Sequence, residues 1–594
     1  MDNFGGNFVE NHQNVLKQQS ESQSIEWFQV WSDFITKSPF TSQILGEKSS
    51  EIIQNILAGI AQGDSCVNAS PEDIAVLGDL ALHEKALSSS KVAPFVYDQQ
   101  FLYLYRYWSQ EYSLAQQIIR LKQQTIPNIP LVGSEQLFTD DYQKQALQTV
   151  VNNSLSIITG GPGTGKTYTL ARIIAILNHT QPNLRIAMAA PTGKAAQRMK
   201  EALQNSFNDP KLAEFLTTEL KEITPITLHR LLGLGHSQQA KFNSKYPLPY
   251  DVIVIDEASM LDLNLANMLF CAIPNEARII LLGDAQQLAS VDVGNVLADL
   301  QNMDVLSENR MNLVKSRRFK DGALIGEMAK FILQEHKVER ILEDFEHQIV
   351  KASTIKDIEL KTDMVDVVQL EYLPDNLSTH SDLSIYYDQL FLGFKSYIQA
   401  IQTFLENEDV AENVSKVIQA FDQYRILTAI RHSLFGLNTL NVQMEQRFLN
   451  QTQQIKFGDW YVGRPVMMTY NDYQLGLSNG DIGICLKRNL SASAPFEVYF
   501  PSLEKWVLAN RLPKNIETAY ALTIHKSQGS EFKHTAVVLD QMAKNLLSKE
   551  LIYTAITRAK SAVSLLVDQQ TFEQAIKIKT TRKSGLLNKI NYLN

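Results

Sequence analysis

Gly160-Gly-Pro-Gly-Thr-Gly-Lys-Thr167 joins a pliant backbone to one ammonium and one hydroxyl at fixed spacing. Gly160, Gly161, Gly163 and Gly165, with Pro162 and Thr164 between them, let backbone N–H groups converge on a phosphate. A helix opening at the same point adds the positive end of its dipole. In that register Lys166 reaches β- and γ-phosphates, and the Thr167 hydroxyl suits Mg²⁺. Farther along, Val252-Ile-Val-Ile-Asp-Glu257 is an apolar run that ends in two carboxylates. Asp256 suits a metal held through its water shell, and Glu257 suits polarising an attacking water. The two elements together imply hydrolysis of a nucleoside triphosphate bound with Mg²⁺.

Such groups need a scaffold, and the flanking residues supply one. Ser154-Leu-Ser-Ile-Ile-Thr159 precedes the phosphate loop as a strand-sized apolar run, and Tyr168 to Leu177 follows it with helical character. Arg185 to Ala190, Asp251 to Asp256 and Arg278 to Gly283 repeat the short apolar run bounded by Gly, Pro or Asp. Buried parallel strands with crossover helices look like this, so the fold class is α/β. A chain of 594 residues exceeds one hydrophobic core, and roughly two to four domains are expected. With 44% hydrophobic and 20% charged residues it is neither collagen-like nor wholly disordered. The net charge of −9 advertises no nucleic-acid partner, so any such contacts must be local.

Cys66, Cys271 and Cys485 lie far apart and form no CxxC pair, which points to a reducing cytosol. The polar N-terminus has no signal-peptide pattern, and the longest apolar runs are strand-sized, so no membrane segment is expected. Residues 1–125 read as a helical region, with Trp27, Val30, Trp31 and Phe34 at helical spacing. The break at Thr125-Ile-Pro-Asn-Ile-Pro130 sets the first boundary. Residues 126–325 form the first α/β domain, and 326–594 the second. From about 325 to 420 the chain is helical and acidic. From about 455 to 515 it turns β-like, with turns at Gly463 and at Ser478-Asn-Gly-Asp481, and reads as a small barrel-like insertion.

Further motifs come in order: APTGKAA (190–196), TLHRLLG (227–233), DEAS (256–259), LLGDAQQL (281–288), LVKSRRF (313–319), ALTIHKSQGSEF (521–532) and YTAITRAK (553–560). With the phosphate loop, this order resembles superfamily 1 DNA helicases, and within them the RecD group, the alpha subunit of exonuclease V (the RecBCD enzyme). The likeness spans about 130 to 565. It extends through Leu102-Tyr-Leu-Tyr-Arg-Tyr-Trp108 with Glu111, Gly463-Arg-Pro-Val-Met467 and Leu477-Ser-Asn-Gly-Asp-Ile-Gly483. It implies two RecA-like P-loop domains, an N-terminal helical domain that docks a partner, and an SH3-like β insertion at about 455–515.

The resemblance also implies roles by position. Gln143 reads the adenine edge, where an amide can donate and accept at once. Gln287 senses the γ-phosphate. Arg318 and Arg558 reach that phosphate from the second domain, where planar guanidinium groups suit charge spread over phosphoryl oxygens. Glu531 is a nucleotide-side carboxylate. Pro191, Thr192, Gly193 and Lys194, Thr227 and His229, and Thr523 and His525 contact the DNA backbone, with little sequence preference expected. The activity implied is that of an ATP-driven 5′-to-3′ helicase subunit in a bacterial cytosolic heterotrimer with RecB-like and RecC-like partners. It would act on single-stranded DNA and duplex ends, for double-strand break repair by homologous recombination and for DNA degradation. A free-standing RecD-like helicase and a nucleotide-gated regulatory subunit of a nuclease remain alternatives. No carboxylate–lysine cluster outside the motifs reads as a nuclease centre, so exonuclease activity is expected of a partner.

Overall fold

In the computed structural model, residues 27–594 are described except 38, 89, 128, 132–134, 139, 236–238, 316–321, 337–339, 352–357, 359, 361–363, 375–379, 407–409, 473 and 489–494. Two parallel sheets organise the chain. The first has six strands in the order Arg310–Leu313, Leu155–Gly160, Arg278–Gly283, Val252–Ile255, Ile186–Ala190 and Ile226–Thr227. Its central strands are buried on both faces, which is why they read as continuous apolar runs.

Strand side chains alternate between two cores. Ile158, Val254, Ile280 and Leu282 pack with Leu170, Ile173 and Ile174 of helix Lys166–Thr180. Ile157, Ile253, Ile255 and Leu281 pack on the other side with Leu114, Ile118 and Leu121 of helix Tyr105–Gln123. That last helix lies before the Thr125–Pro130 break yet shares the first sheet's core. Helical periodicity shows that a helix has an apolar face, but not which sheet will cover it.

The second sheet has five parallel strands in the order Val367–Tyr372, Ala559–Val567, Phe532–Leu539, Tyr424–Thr428 and Ala521–Thr523. Between helix Leu437–Thr452 and strand Ala521–Thr523 the chain builds a separate antiparallel sheet. Its order is Lys505–Leu508, Glu497–Phe500, Ile482–Leu486, Pro465–Met467 and Glu517–Thr518. Val466, Met468, Cys485, Val498 and Phe500 give this β module its own small core.

The N-terminal region is mainly helical, as expected, and adds a small sheet that the sequence did not show. Besides helices Glu47–Ala61 and Tyr105–Gln123 it holds a four-stranded sheet: Val67–Asn68, Phe101–Leu104, Phe95–Tyr97 and Ala81–His83. These strands are two to four residues long, too short to show a period of two. The chain's end returns to this region, because helix Leu586–Leu593 packs on helix Tyr105–Gln123. Glu111, from the RecD-like stretch, is buried there. It pairs with buried Lys589 at 3.0 Å and accepts from the Gly585 N–H at 3.2 Å. Removing one partner of such a pair costs about 3–5 kcal/mol. Among the described residues, no helix is long and apolar enough to cross a membrane.

Candidate active site and nucleic-acid interface

The phosphate loop leaves strand Leu155–Gly160 and enters helix Lys166–Thr180 through Gly165, whose φ is +82°. Left-handed backbone at that position favours glycine. A Cβ on Gly160 would sit 2.6 Å from Thr164 Oγ1 and 2.8 Å from the Leu313 carbonyl oxygen, so no side chain fits. Thr164 Oγ1 donates to the Gly161 carbonyl at 2.9 Å and closes the loop. Lys166 Nζ donates to the carbonyls of Gly160 at 2.6 Å and Gly161 at 3.2 Å, which holds the ammonium over the loop.

Asp256 and Glu257 follow strand Val252–Ile255, two strands away in the same sheet. The Glu257 N–H donates to Asp256 Oδ1 at 2.9 Å. Glu257 has φ +53°, a left-handed conformation uncommon outside glycine and typical of strain held at functional sites. Burial and the Glu257 charge push the Asp256 carboxyl above the usual carboxylate range, while Lys166 and Arg198 oppose the rise.

The second domain closes over these groups. A cavity of about 260 Å³ is lined by Lys166, Thr167, Asp256, Glu257 and Gln287 of the first domain, and by Gly529, Glu531 and Arg558 of the second. Arg558 is 4% exposed, held by Nε donating to the Thr554 carbonyl at 3.1 Å and Nη1 to that of Ser530 at 3.3 Å. Glu531 forms ion pairs with Arg198 and, at 3.5 Å, with Lys560. Gln287 Nε2 donates to Asp284 Oδ2 at 3.3 Å. Gln143 is buried in the first turn of helix Asp141–Asn152, where its N–H donates to Asp140 Oδ1 at 2.9 Å. It does not line this cavity. Arg318 lies outside the described residues.

Several groups in and around the cleft went unread in the sequence. Tyr553 Oη donates to Asp284 Oδ2 at 2.9 Å, across the two domains. The Leu288 N–H donates to Thr554 Oγ1 at 2.8 Å, and Gln528 Nε2 donates to the Leu288 carbonyl at 2.8 Å. The segment carrying Gln287 is thus tied directly to the second domain. Burial raises the Asp284 carboxyl above its ordinary range. Tyr553 and Asp284 both stand inside helicase motifs, and that position was the signal available.

The residues expected on DNA are more scattered. Pro191 precedes Thr192, which caps helix Gly193–Phe207 by accepting from the Ala195 N–H at 3.2 Å. Gly193 is covered by the β module: a Cβ there would lie 2.8 Å from Asp481 Oδ1 and 3.0 Å from Ser478 Cβ. Lys194 keeps partial exposure, but its ammonium is enclosed, 5.2 Å from the centre of the Phe532 ring. Burial lowers its pKa to about 8; Arg425 and Arg198 reinforce the drop, and Asp422 and Asp481 oppose it.

Thr227 caps the turn Leu228–Leu231, accepting from the Arg230 N–H at 3.3 Å. His229 faces a different hollow, of about 420 Å³, together with Arg106, Tyr107, Asp262 and Asn471. Burial lowers its pKa and Asp262 opposes this. Thr523 Oγ1 accepts from the Lys526 N–H at 3.3 Å. His525 is lowered by burial and by Arg582. Lys526 Nζ donates to Asn479 Oδ1 of the β module at 2.6 Å, so this module touches both domains, at the 190–196 and 521–532 motifs.

A phosphate loop, a paired carboxylate and an arginine from a second parallel-sheet domain define an ATP-dependent motor of the helicase type. Residues 143–293 match the AAA domain, and residues 518–566 match the UvrD-like helicase C-terminal domain. The RecBCD enzyme subunit RecD of Haemophilus influenzae is 33% identical over 586 residues, covering 88% of this chain and 84% of that protein. RecD of Mycobacterium tuberculosis is 33% identical, covering 83% of this chain and 80% of that one. The ATP-dependent RecD2 DNA helicase of Deinococcus radiodurans is 26% identical, with coverage of 75% and 52%. Among solved structures, Bacteroides Pif1 helicase with ADP-AlF3 and single-stranded DNA matches at 16% identity and TM-score 0.38, covering 77% of this chain and 97% of that one. The chain belongs to the RecD family of superfamily 1 helicases, and it is an ATP-dependent DNA helicase.

Proposed function

We propose that this chain is the helicase subunit of a RecBCD-type heterotrimer, with RecB-like and RecC-like partners in the bacterial cytosol. It moves 5′-to-3′ along one strand at a duplex end and so serves double-strand break repair by homologous recombination and DNA degradation. Exonuclease V activity belongs to the assembled complex, with the nuclease centre in a partner. The observation carrying the motor reading is the shared cavity, where Lys166, Asp256 and Glu257 face Glu531 and Arg558 across the domain boundary.

Each residue has a distinct task there. Loop N–H groups and Lys166 hold the β- and γ-phosphates. Glu257 takes a proton from the attacking water. Gln287 and Arg558 meet the developing charge on the transferred phosphoryl group. Among the described residues no cluster of three or more His, Cys, Asp or Glu side chains could cage a metal alone. Thr167 and Asp256 offer one hydroxyl and one carboxylate, a donor set that fits Mg²⁺ shared with phosphate oxygens and water. When bound, Mg²⁺ neutralises phosphate charge. Gln143, at the first turn of its helix, recognises the adenine, and Arg318 joins Arg558 at the γ-phosphate.

The direction of travel is tested with forked DNA bearing only a 5′ or only a 3′ tail, with and without candidate partner subunits. Unwinding that requires the 5′ tail supports the reading. A preference for the 3′ tail reverses the polarity, and full activity without partners makes the protein a free-standing helicase.

A further inference from the structure

Helix Gly193–Phe207 carries a cation toward each of the two substrates. Lys194 stands at its DNA-side start, and Arg198 lies one turn later on the same face, inside the nucleotide cavity. Like charges at this spacing repel, so each needs its own anion. Arg198 has Glu531 of the second domain, and Lys194 has Asp422 and Asp481 nearby. Arg198 Nη1 also donates to the Gly529 carbonyl at 3.1 Å. A Cβ on Gly529, whose φ is +68°, would stand 3.1 Å from Ala195 Cβ, so this turn rests directly on the helix.

The Arg198 guanidinium lines the nucleotide cavity, and Lys194 stands four residues earlier on the same helix. It lies just beyond the APTGKAA motif, whose residues carry the DNA contacts implied by the family. A polyphosphate entering the cavity brings several negative charges beside a guanidinium that already neutralises Glu531.

We propose that Arg198 is the positioning residue that couples nucleotide to DNA grip, by clamping the Gly529–Glu531 turn of the second domain onto helix Gly193–Phe207. ATP competes with Glu531 for the guanidinium, the clamp loosens, and the helix start carrying Lys194 shifts against DNA. This rests on the ATP-driven motor reading. It differs from ordinary phosphate binding because the expected loss is one of communication.

The test uses the full chain. Affinity for a fluorescent oligothymidylate is measured with and without a non-hydrolysable ATP analogue, beside ATP turnover with and without DNA. Arg198→Gln is expected to shrink the nucleotide-induced change in DNA affinity by about tenfold, measured at saturating analogue so that any rise in the KM for ATP is separated from it. Arg198→Lys keeps the ion pair and restores part of the response. The exchange Arg198→Glu with Glu531→Arg restores more than either single change. If Arg198→Gln does not fold, Glu531→Gln reads the same clamp from the other domain and should give the same loss of response. A raised KM with an intact DNA response makes Arg198 a plain nucleotide contact, and no change makes it a surface ion pair; either overturns the proposal. Wild-type turnover indifferent to DNA would instead overturn the motor reading, and it needs no variant to detect.

Discussion

The nucleotide cavity and the surface proposed to grip DNA are built differently. On the nucleotide side, residues from both domains meet in one cavity, with a strained Glu257 and a buried Arg558. On the side proposed for DNA, Thr192, Thr227 and Thr523 spend their hydroxyls closing turns, while His229 faces a separate hollow. Phosphoryl transfer needs groups placed at one point, and buried, fixed dipoles are worth most there. Gripping a polymer needs many weak contacts along a line, each of which can be individually modest. A single change should therefore be severe on the first side and mild on the second.

The largest expected effect tests the severe side. Lys166→Gln removes the ammonium held over the phosphate loop and should lower DNA-stimulated ATP turnover by about 10⁴-fold with the fold retained. Near-normal turnover in a folded variant would break the contrast. Glu257→Gln should be as slow in turnover yet bind ATP at least as persistently as wild type, since the phosphate loop is untouched. A filter-binding assay of retained ATP separates the two. Arg558→Ala comes next, with about a thousandfold loss in turnover and little loss in nucleotide affinity. An equal loss in affinity with unchanged turnover would make Arg558 a binding residue only.

The contrast also explains what could be read in advance. The phosphate loop and the Asp256–Glu257 pair are contiguous, so their chemistry is visible in a few residues beside one strand. Arg198, Asp284 and Tyr553 act across the domain boundary, and pairing them requires knowing how two sheets face each other. The parallel strands were legible because burial on both faces makes them uniformly apolar. The short N-terminal strands were not, and helix Tyr105–Gln123 gave no sign that its apolar face would complete the first sheet's core. The contact of Gly193 with Ser478 and Asp481 was not legible either, because those residues lie nearly three hundred positions later in the chain.

A milder prediction concerns that loop. Asn479→Ala removes the acceptor for Lys526 Nζ while leaving the nucleotide cavity intact. The lost hydrogen bond is worth about 1 kcal/mol, so unwinding should fall about fivefold with turnover in the absence of DNA unchanged. If both fall together, the β module supports the active site as well as the strand. Unwinding and turnover measured on the same preparation decide between these.

The smallest expected effect is in pH. Lys194 has its pKa lowered to about 8 from 10.5, chiefly by burial. It is charged at pH 7 and mostly neutral at pH 9. If its ammonium grips DNA phosphate, affinity for single-stranded DNA at constant salt should weaken by about two- to threefold over that range, one contact among many. Lys194→Arg, whose charge does not titrate there, should flatten the profile. Stability should move the opposite way. Between about 8 and 10.5 the unfolded chain binds more protons at this position than the folded one, so unfolding free energy rises with pH. A parallel fall of affinity and stability would point to general alkaline loosening. Affinity falling while stability rises, with both slopes removed by Lys194→Arg, would place the DNA grip on a half-enclosed lysine whose partners come from both domains and the β module.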